Sequence, residues 1–263
     1  MSNTTPGKSI IHRHGAVVLI MSLGLLVAVC HAAPTTTQES QQVTSTSIAS
    51  ETLSTRQQAI VPIAAFAAKG DLARLNGALN QGLDAGLTVT DVREVLVQLY
   101  AYAGFPRSLN ALGELMKVLE TRRQRGVQDA PGHAPSRPIP TGDALLSAGT
   151  ANQTKLAGGA VKGPLFDFAP AIDEYLKTHL FGDIFERDNL DWQSREIATV
   201  AMLAATPGVE PQLQAHMRIS MNVDLTESQL RQLGQVLADR VDADTAMRAH
   251  EALEKQVAAK SAR

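Results

Sequence analysis

From residue 53 onward, apolar residues recur every three or four positions, and alternating β-branched runs are scarce. This period predicts helices, and glycine, proline and capping residues mark their ends. The clearest stretch is Gly86 to Arg122. Val92, Val95, Leu96 and Leu99 give one helix an apolar face, with Thr88 and Asp91 both suited to its N-cap. Asp91 with Glu94 has the spacing of a capping box. Ala103-Gly104-Phe105-Pro106 breaks the helix, because Gly104 tolerates a left-handed cap and Pro106 suits a first turn. Leu109, Leu112, Met116 and Leu119 predict the apolar stripe of the next helix.

Upstream, Ser54 or Thr55 caps a helix whose face is Ile60, Ile63, Ala64 and Ala67. Gly70-Asp71 turns the chain into a second helix with Leu72, Leu75, Leu79 and Leu83 in register. Prolines and glycines then crowd residues 126–164, which read as a connector with room for a short helix at 143–147. A connector of this length can wrap the surface or a site. Beyond it, Pro170 to Leu180 reads as helical, and Gly182 to Asp188 as a turn or short helix. Strong helices are predicted over Trp192–Ala205 and Pro211–Asn222. Thr226 and Gln229 form a capping box for a third, and a last helix runs from Asp242 to about Ala259.

The two helical blocks repeat. Arg56 to Thr88 spans 32 residues and Arg195 to Thr226 spans 31. Each block reads as arginine, apolar helix, turn, second helix, then Leu-Thr capping a third. The halves have diverged in a complementary way. The first has Gln57 and Ala78 where the second has Glu196 and His216. The first keeps Tyr100, Tyr102, Gly104, Phe105 and Pro106, where the second has Ala238, Arg240 and Asp242 as counterparts of its tyrosines and glycine.

Gly-Leu-Thr, a helix bearing a glutamate, Tyr-Ala-Gly-Phe-Pro and Asn-Ala-Leu together resemble the carboxymuconolactone decarboxylase family, relatives of alkylhydroperoxidase D. The resemblance covers residues 53–122 and about 165–245. It implies an all-α fold made of a duplicated alkylhydroperoxidase D-like helical domain, with repeats over 51–125 and 165–260. Position in the family implies that Glu196 and His216 are the catalytic pair. It also implies a homo-oligomer, because such domains usually assemble as rings, and here Asp224 replaces the usual glycine before Leu-Thr.

Alkylhydroperoxidase D works through a Cys-x-x-Cys pair. Here the corresponding positions are close to Val209 and Gln212, and the chain holds one cysteine, Cys30. The peroxidase branch, with its peroxiredoxin activity, is therefore disfavoured. The decarboxylase branch needs a group to hold an acid, an acid/base near neutrality and a dry pocket. Imidazole titrates near pH ~6.5, so His216 suits proton delivery, with Glu196 orienting it. Arg195 or Arg107 is the candidate for holding a substrate carboxylate, and Tyr100 or Tyr102 for donating to a carbonyl. Two short-linked antiparallel helices bring Glu196 and His216 to an axial offset of ~5 Å, close enough to touch beside an apolar pocket. Two readings stay open: a cofactor-free enzyme acting on a small carboxylate or lactone, and a non-catalytic oligomeric small-molecule-binding protein.

Net charge is −2, so no basic field points to nucleic acid. No metal-binding or nucleotide-binding motif is present, and no cofactor or metal is expected. Lys8 and Arg13, the apolar run Ala16–Val29 and Cys30-His31-Ala32-Ala33 read as a signal peptide over residues 1–33. Residues 34–50 read as a disordered tether. A periplasmic or secreted protein, free of the membrane after cleavage, is the expectation.

Overall fold

The computed structural model describes residues 51–262. The leader expected over 1–33 and the tether over 34–50 lie outside the described residues. Among the described residues are eleven α-helices and one π-helix, with no strand and no helix long and apolar enough to cross a membrane.

The first repeat is α1 (Thr55–Lys69), α2 (Leu72–Asp84), α3 (Val89–Gln98) and α4 (Tyr100–Gln124). Between the repeats lie α5 (Asp143–Ala157), α6 (Pro164–Phe168), α7 (Pro170–Tyr175) and the π-helix Leu176–Ile184. The second repeat is α8 (Trp192–Ala204), α9 (Glu210–Asn222), α10 (Glu227–Arg240) and α11 (Ala243–Ser261). Helix α1 is apolar all round and buried from Ala59 to Ala68, and α8 is buried from Ser194 to Ala204, its polar residues Ser194, Arg195, Glu196 and Thr199 included. These two helices pack on each other at the centre. The neighbours follow in matched pairs. Helix α2 lies on α1 as α9 lies on α8, and α4 on α2 as α11 on α9. Helix α3 reaches across to α8, and α10 to α1.

The caps repeat too. Thr88 accepts from the Asp91 amide, and the Asp91 side chain accepts from the Thr88 amide. Asp91 is thus the reciprocal partner in the capping box rather than a cap of its own. Thr226 and Gln229 do the same for α10. Before each cap one residue is left-handed, Gly86 at φ 91° and Asp224 at φ 67°. In both turns the next amide reaches back five residues, Leu87 to Gly82 and Leu225 to Ser220. Asp224 therefore makes the same turn as a glycine, since aspartate enters the left-handed region more readily than most residues.

The break at Gly104 stands where the sequence places it: Leu99 keeps helical angles, whereas Gly104 (φ 81°, ψ 160°) is non-helical, so α4 is two helical segments meeting at a kink. Two expectations are corrected. The predicted stripe of α4 only borders its core face. Leu112 and Leu119 pack against the core, but Leu109 is 63% and Met116 72% exposed, while Ser108, Ala111, Leu115 and Val118 are buried. The second concerns the connector, which holds a full helix of 15 residues, α5, packed on the π-helix. A side chain at Gly149 would place its Cβ 1.8 Å from the Lys177 carbonyl oxygen, so only glycine permits this approach. Helices α5, α9 and the π-helix enclose a second small core of Leu156, Leu180, Phe181, Ile184, Ile219 and Val223. Tyr102 packs against both cores.

Candidate active site

Asp191 caps α8, its side chain accepting from the Ser194 amide, and this fixes where Arg195 and Glu196 point. Both are fully buried. Helix α9 returns antiparallel after a short turn, and His216 meets Glu196 at 2.8 Å, Nδ1 to Oε2. With Glu196 as a carboxylate, which only accepts, Nδ1 carries the proton, and Nε2 is the ring nitrogen that Glu196 does not engage. Tyr102, from the Gly104 hinge of the other repeat, sets its ring edge-on to the imidazole at 5.5 Å between centroids.

Several polar atoms here lack a partner. Glu196 Oε1, Tyr102 Oη and Ser220 Oγ are buried without a hydrogen bond. Ser220 lies one turn beyond His216 on α9. Burial raises the Tyr102 pKa well above its ordinary value, and the Glu196 carboxylate raises it further. Thr199 lowers it slightly without completing a hydrogen bond of normal geometry. Tyr102 therefore stays a neutral donor beside a buried carboxylate. Unsatisfied buried polar atoms cost stability, so a cluster of them beside an acid/base pair fits a place where a guest completes the bonding.

Arg195 does not face a ligand. It is 0% exposed and pairs with Glu94 at 3.1 Å, while also donating to the Arg187 carbonyl and Gln98 Oε1. Glu94 also takes Arg187 at 2.6 Å and Asn189 at 3.1 Å. Burial alone would raise the Glu94 pKa, but Arg187, Arg195 and Asn189 together hold it down to about 2. Gln98 links this network to the site, donating to the Arg195 carbonyl and to Thr199 Oγ1. Arg195 is thus a cross-repeat strut rather than a substrate clamp. Tyr100 stacks on Phe105 at 4.7 Å and stands apart from the pair. Arg107 is exposed and borders a cavity of about 440 Å³ with Ala103, Lys69 and Arg248. Neither Glu196 nor His216 belongs to the lining of that cavity.

Glu94, Gln98, Asn189 and Ser220 were not among the sequence candidates. Asp91, Glu94 and Gln98 do carry a signal, being polar residues at helical spacing on a helix that is otherwise buried. Ser220 carries only its i+4 relation to His216.

A family model described as "Carboxymuconolactone decarboxylase family" matches residues 39–116 and again 170–255, together more than half of the chain. No curated protein matches the chain.

Proposed function

Because the chain belongs to the carboxymuconolactone decarboxylase family, in two tandem copies, we propose that it is a cofactor-free acid/base enzyme acting on a small carboxylate or lactone. The observation that carries this reading is the buried His216–Glu196 hydrogen bond at 2.8 Å, flanked by three unpartnered polar atoms. In the proposed reaction the carbon–carbon bond to a substrate carboxylate breaks and carbon dioxide leaves. The electron pair stays on the lactone and spreads into its conjugated system. His216, as imidazolium, returns a proton to carbon through Nε2, with Glu196 holding the ring and stabilising its charge. Tyr102 donates to the lactone carbonyl. With Arg195 committed to Glu94, Arg107 is the remaining candidate for the substrate carboxylate, in the cavity it shares with Lys69 and Arg248.

A disulfide-cycling peroxidase requires two thiols, and the chain holds one cysteine.

The test is carbon dioxide release from a carboxymuconolactone. His216→Ala should lower kcat by ~10²-fold or more, with Glu196→Gln close behind and circular dichroism unchanged. No release by the natural chain, or equal rates in the His216→Ala variant, sinks the reading.

A further inference from the structure

The helices between the repeats enclose a cavity of their own. Helix α5 turns Gly149, Gln153 and Leu156 inward, at i, i+4 and i+7. Leu156 enters the second core, and Gly149 lies against the Lys177 carbonyl of the π-helix. Gln153 sits between them, an amide on a face that is otherwise apolar. It is 4% exposed. The polar side chains around it on α5 are all bonded. Asn152 donates to the Phe181 carbonyl and to Glu186, and Thr150 and Thr154 each donate to a carbonyl one turn back. Among the described residues nothing bonds the Gln153 amide.

That amide is not sealed in. Tyr102 Oη, Asp173 Oδ1 and Ser220 Oγ are buried atoms closed off without a partner, and neither polar atom of Gln153 is in that state. Both keep surface, and Gln153 lines a cavity of about 700 Å³, within the range of small-molecule sites. Its apolar walls are Ala160, Val161, Phe166 and Pro170. The charges on its border cancel. Lys177 is paired with Asp173, and Lys162 and Asp167, both exposed, are of opposite sign. Thr150 and Thr154 have given their protons to helix carbonyls and can only accept. The buried end of the cavity therefore offers one free donor and one free acceptor side by side, Gln153 Nε2 and Oε1. No net charge favours an ionic guest.

The edge that complements a primary amide is a second amide with N–H and C=O on the same side, as ring closure enforces in a lactam. Two parallel hydrogen bonds then form, whichever way the glutamine amide is turned. A buried amide left unpaired costs stability, and such a guest recovers that cost. We propose that this cavity binds a small neutral cyclic amide, its N–H donating to Gln153 Oε1 and its carbonyl accepting from Gln153 Nε2, with the ring against Phe166. The site is separate from the acid/base pair, since Glu196, His216 and Tyr102 are not among its lining residues.

The test is an NMR titration of the full chain with δ-valerolactam, with N-methyl-δ-valerolactam as control. The control keeps the carbonyl and loses the N–H donor. A guest this small should bind with about millimolar affinity. The expected result is saturable binding of the lactam, with the N-methyl compound and the Gln153→Met variant each weaker by ~10-fold or more, since both lose hydrogen bonds. Without ligand, Gln153→Met should have an equal or higher Tm, because an unbonded buried amide is replaced by an apolar chain of similar length. A Tm lower by ~4 °C or more shows an amide already engaged in holding the fold, and overturns the proposal. So does the absence of saturable lactam binding up to about 50 mM, well above the affinity expected. Equal binding of the N-methyl compound, or unchanged affinity in Gln153→Met, overturns it as well.

Discussion

Replacing Glu94 by glutamine tests whether the cross-repeat strut holds the halves together. In the folded protein Glu94 is 1% exposed and receives Arg187, Arg195 and Asn189. Arg187 has a side chain 30% exposed and can turn to water when the charge is lost. Arg195 is 0% exposed and cannot. Its Nε already lacks a partner, and Gln98 Oε1 at 3.3 Å and the Arg187 carbonyl are all that remain. Removing one member of a buried pair typically costs ~3–5 kcal/mol, because the other charge stays buried alone. Glutamine still accepts one hydrogen bond, so the loss should be near the lower end, about 3 kcal/mol, or roughly 6–12 °C in Tm for a domain of this size. Urea denaturation at pH 7 measures it. Adding Arg195→Met should restore much of the loss, since the stranded charge goes too. Acid adds a second signature. The Glu94 pKa is about 2 in the fold against 4.5 ordinarily, so its stabilisation is complete above pH 4.5 and disappears as pH falls toward 2. The ceiling on that part is about 3 kcal/mol, and the net is smaller because burial pulls the Arg195 pKa the opposite way, toward losing its proton. The glutamine variant should lack this portion of the acid slope. A loss below ~1 kcal/mol with an unchanged acid slope would refute the strut.

Two further outcomes are expected. Gly149→Ala should destabilise by ~2–3 kcal/mol, because its Cβ would lie 1.8 Å from backbone that cannot yield, and Trp192 fluorescence should report loosening of the second core; a change under ~0.5 kcal/mol contradicts that packing. Hydroperoxide consumption with a dithiol reductant should be no greater for the natural chain than for Cys30→Ser, and turnover abolished by thiol alkylation contradicts this.

What was legible in the sequence is what depends on neighbours within a few turns. The caps at Ser54, Thr88 and Thr226 and the helices they begin are local chemistry, and they stand where the pattern places them. The Glu196–His216 contact needed only one short turn between two helices. Helix α5 was hidden because its contact residue is glycine. In a sequence Gly149 reads as a breaker, while in the fold it is the condition for close approach to the π-helix. The α4 stripe misled for a related reason at Leu109 and Met116, which are exposed, while Leu112 and Leu119 do pack on the core. Leucines and a methionine at helical spacing show an apolar face, and nothing in that spacing says which face the neighbours cover. Arg195 was read as a ligand clamp because its partner Glu94 is 101 residues away.

That pair also shows how one chain can hold two copies of a fold and one site. With the Leu-Thr caps aligned, Gln232 stands at the place of Glu94, and Arg56 at the place of Arg195. Glu94 draws Arg195 into the core. Gln232 carries no charge to compensate a buried guanidinium, and it accepts instead from the Leu53 amide. Arg56 accordingly lies at the surface, its side chain 53% exposed, bonded to Asp91 in its own repeat. The strut that fixes the start of α8 has no counterpart at α1. Next to Arg195 is Glu196, held in place to meet His216, whereas next to Arg56 is Gln57, spent on the cap of Ser54. A buried carboxylate needs a rigid, compensated backbone around it, and only the α8 half has one. The α1 half is relieved of that requirement. It supplies the Tyr102 wall instead.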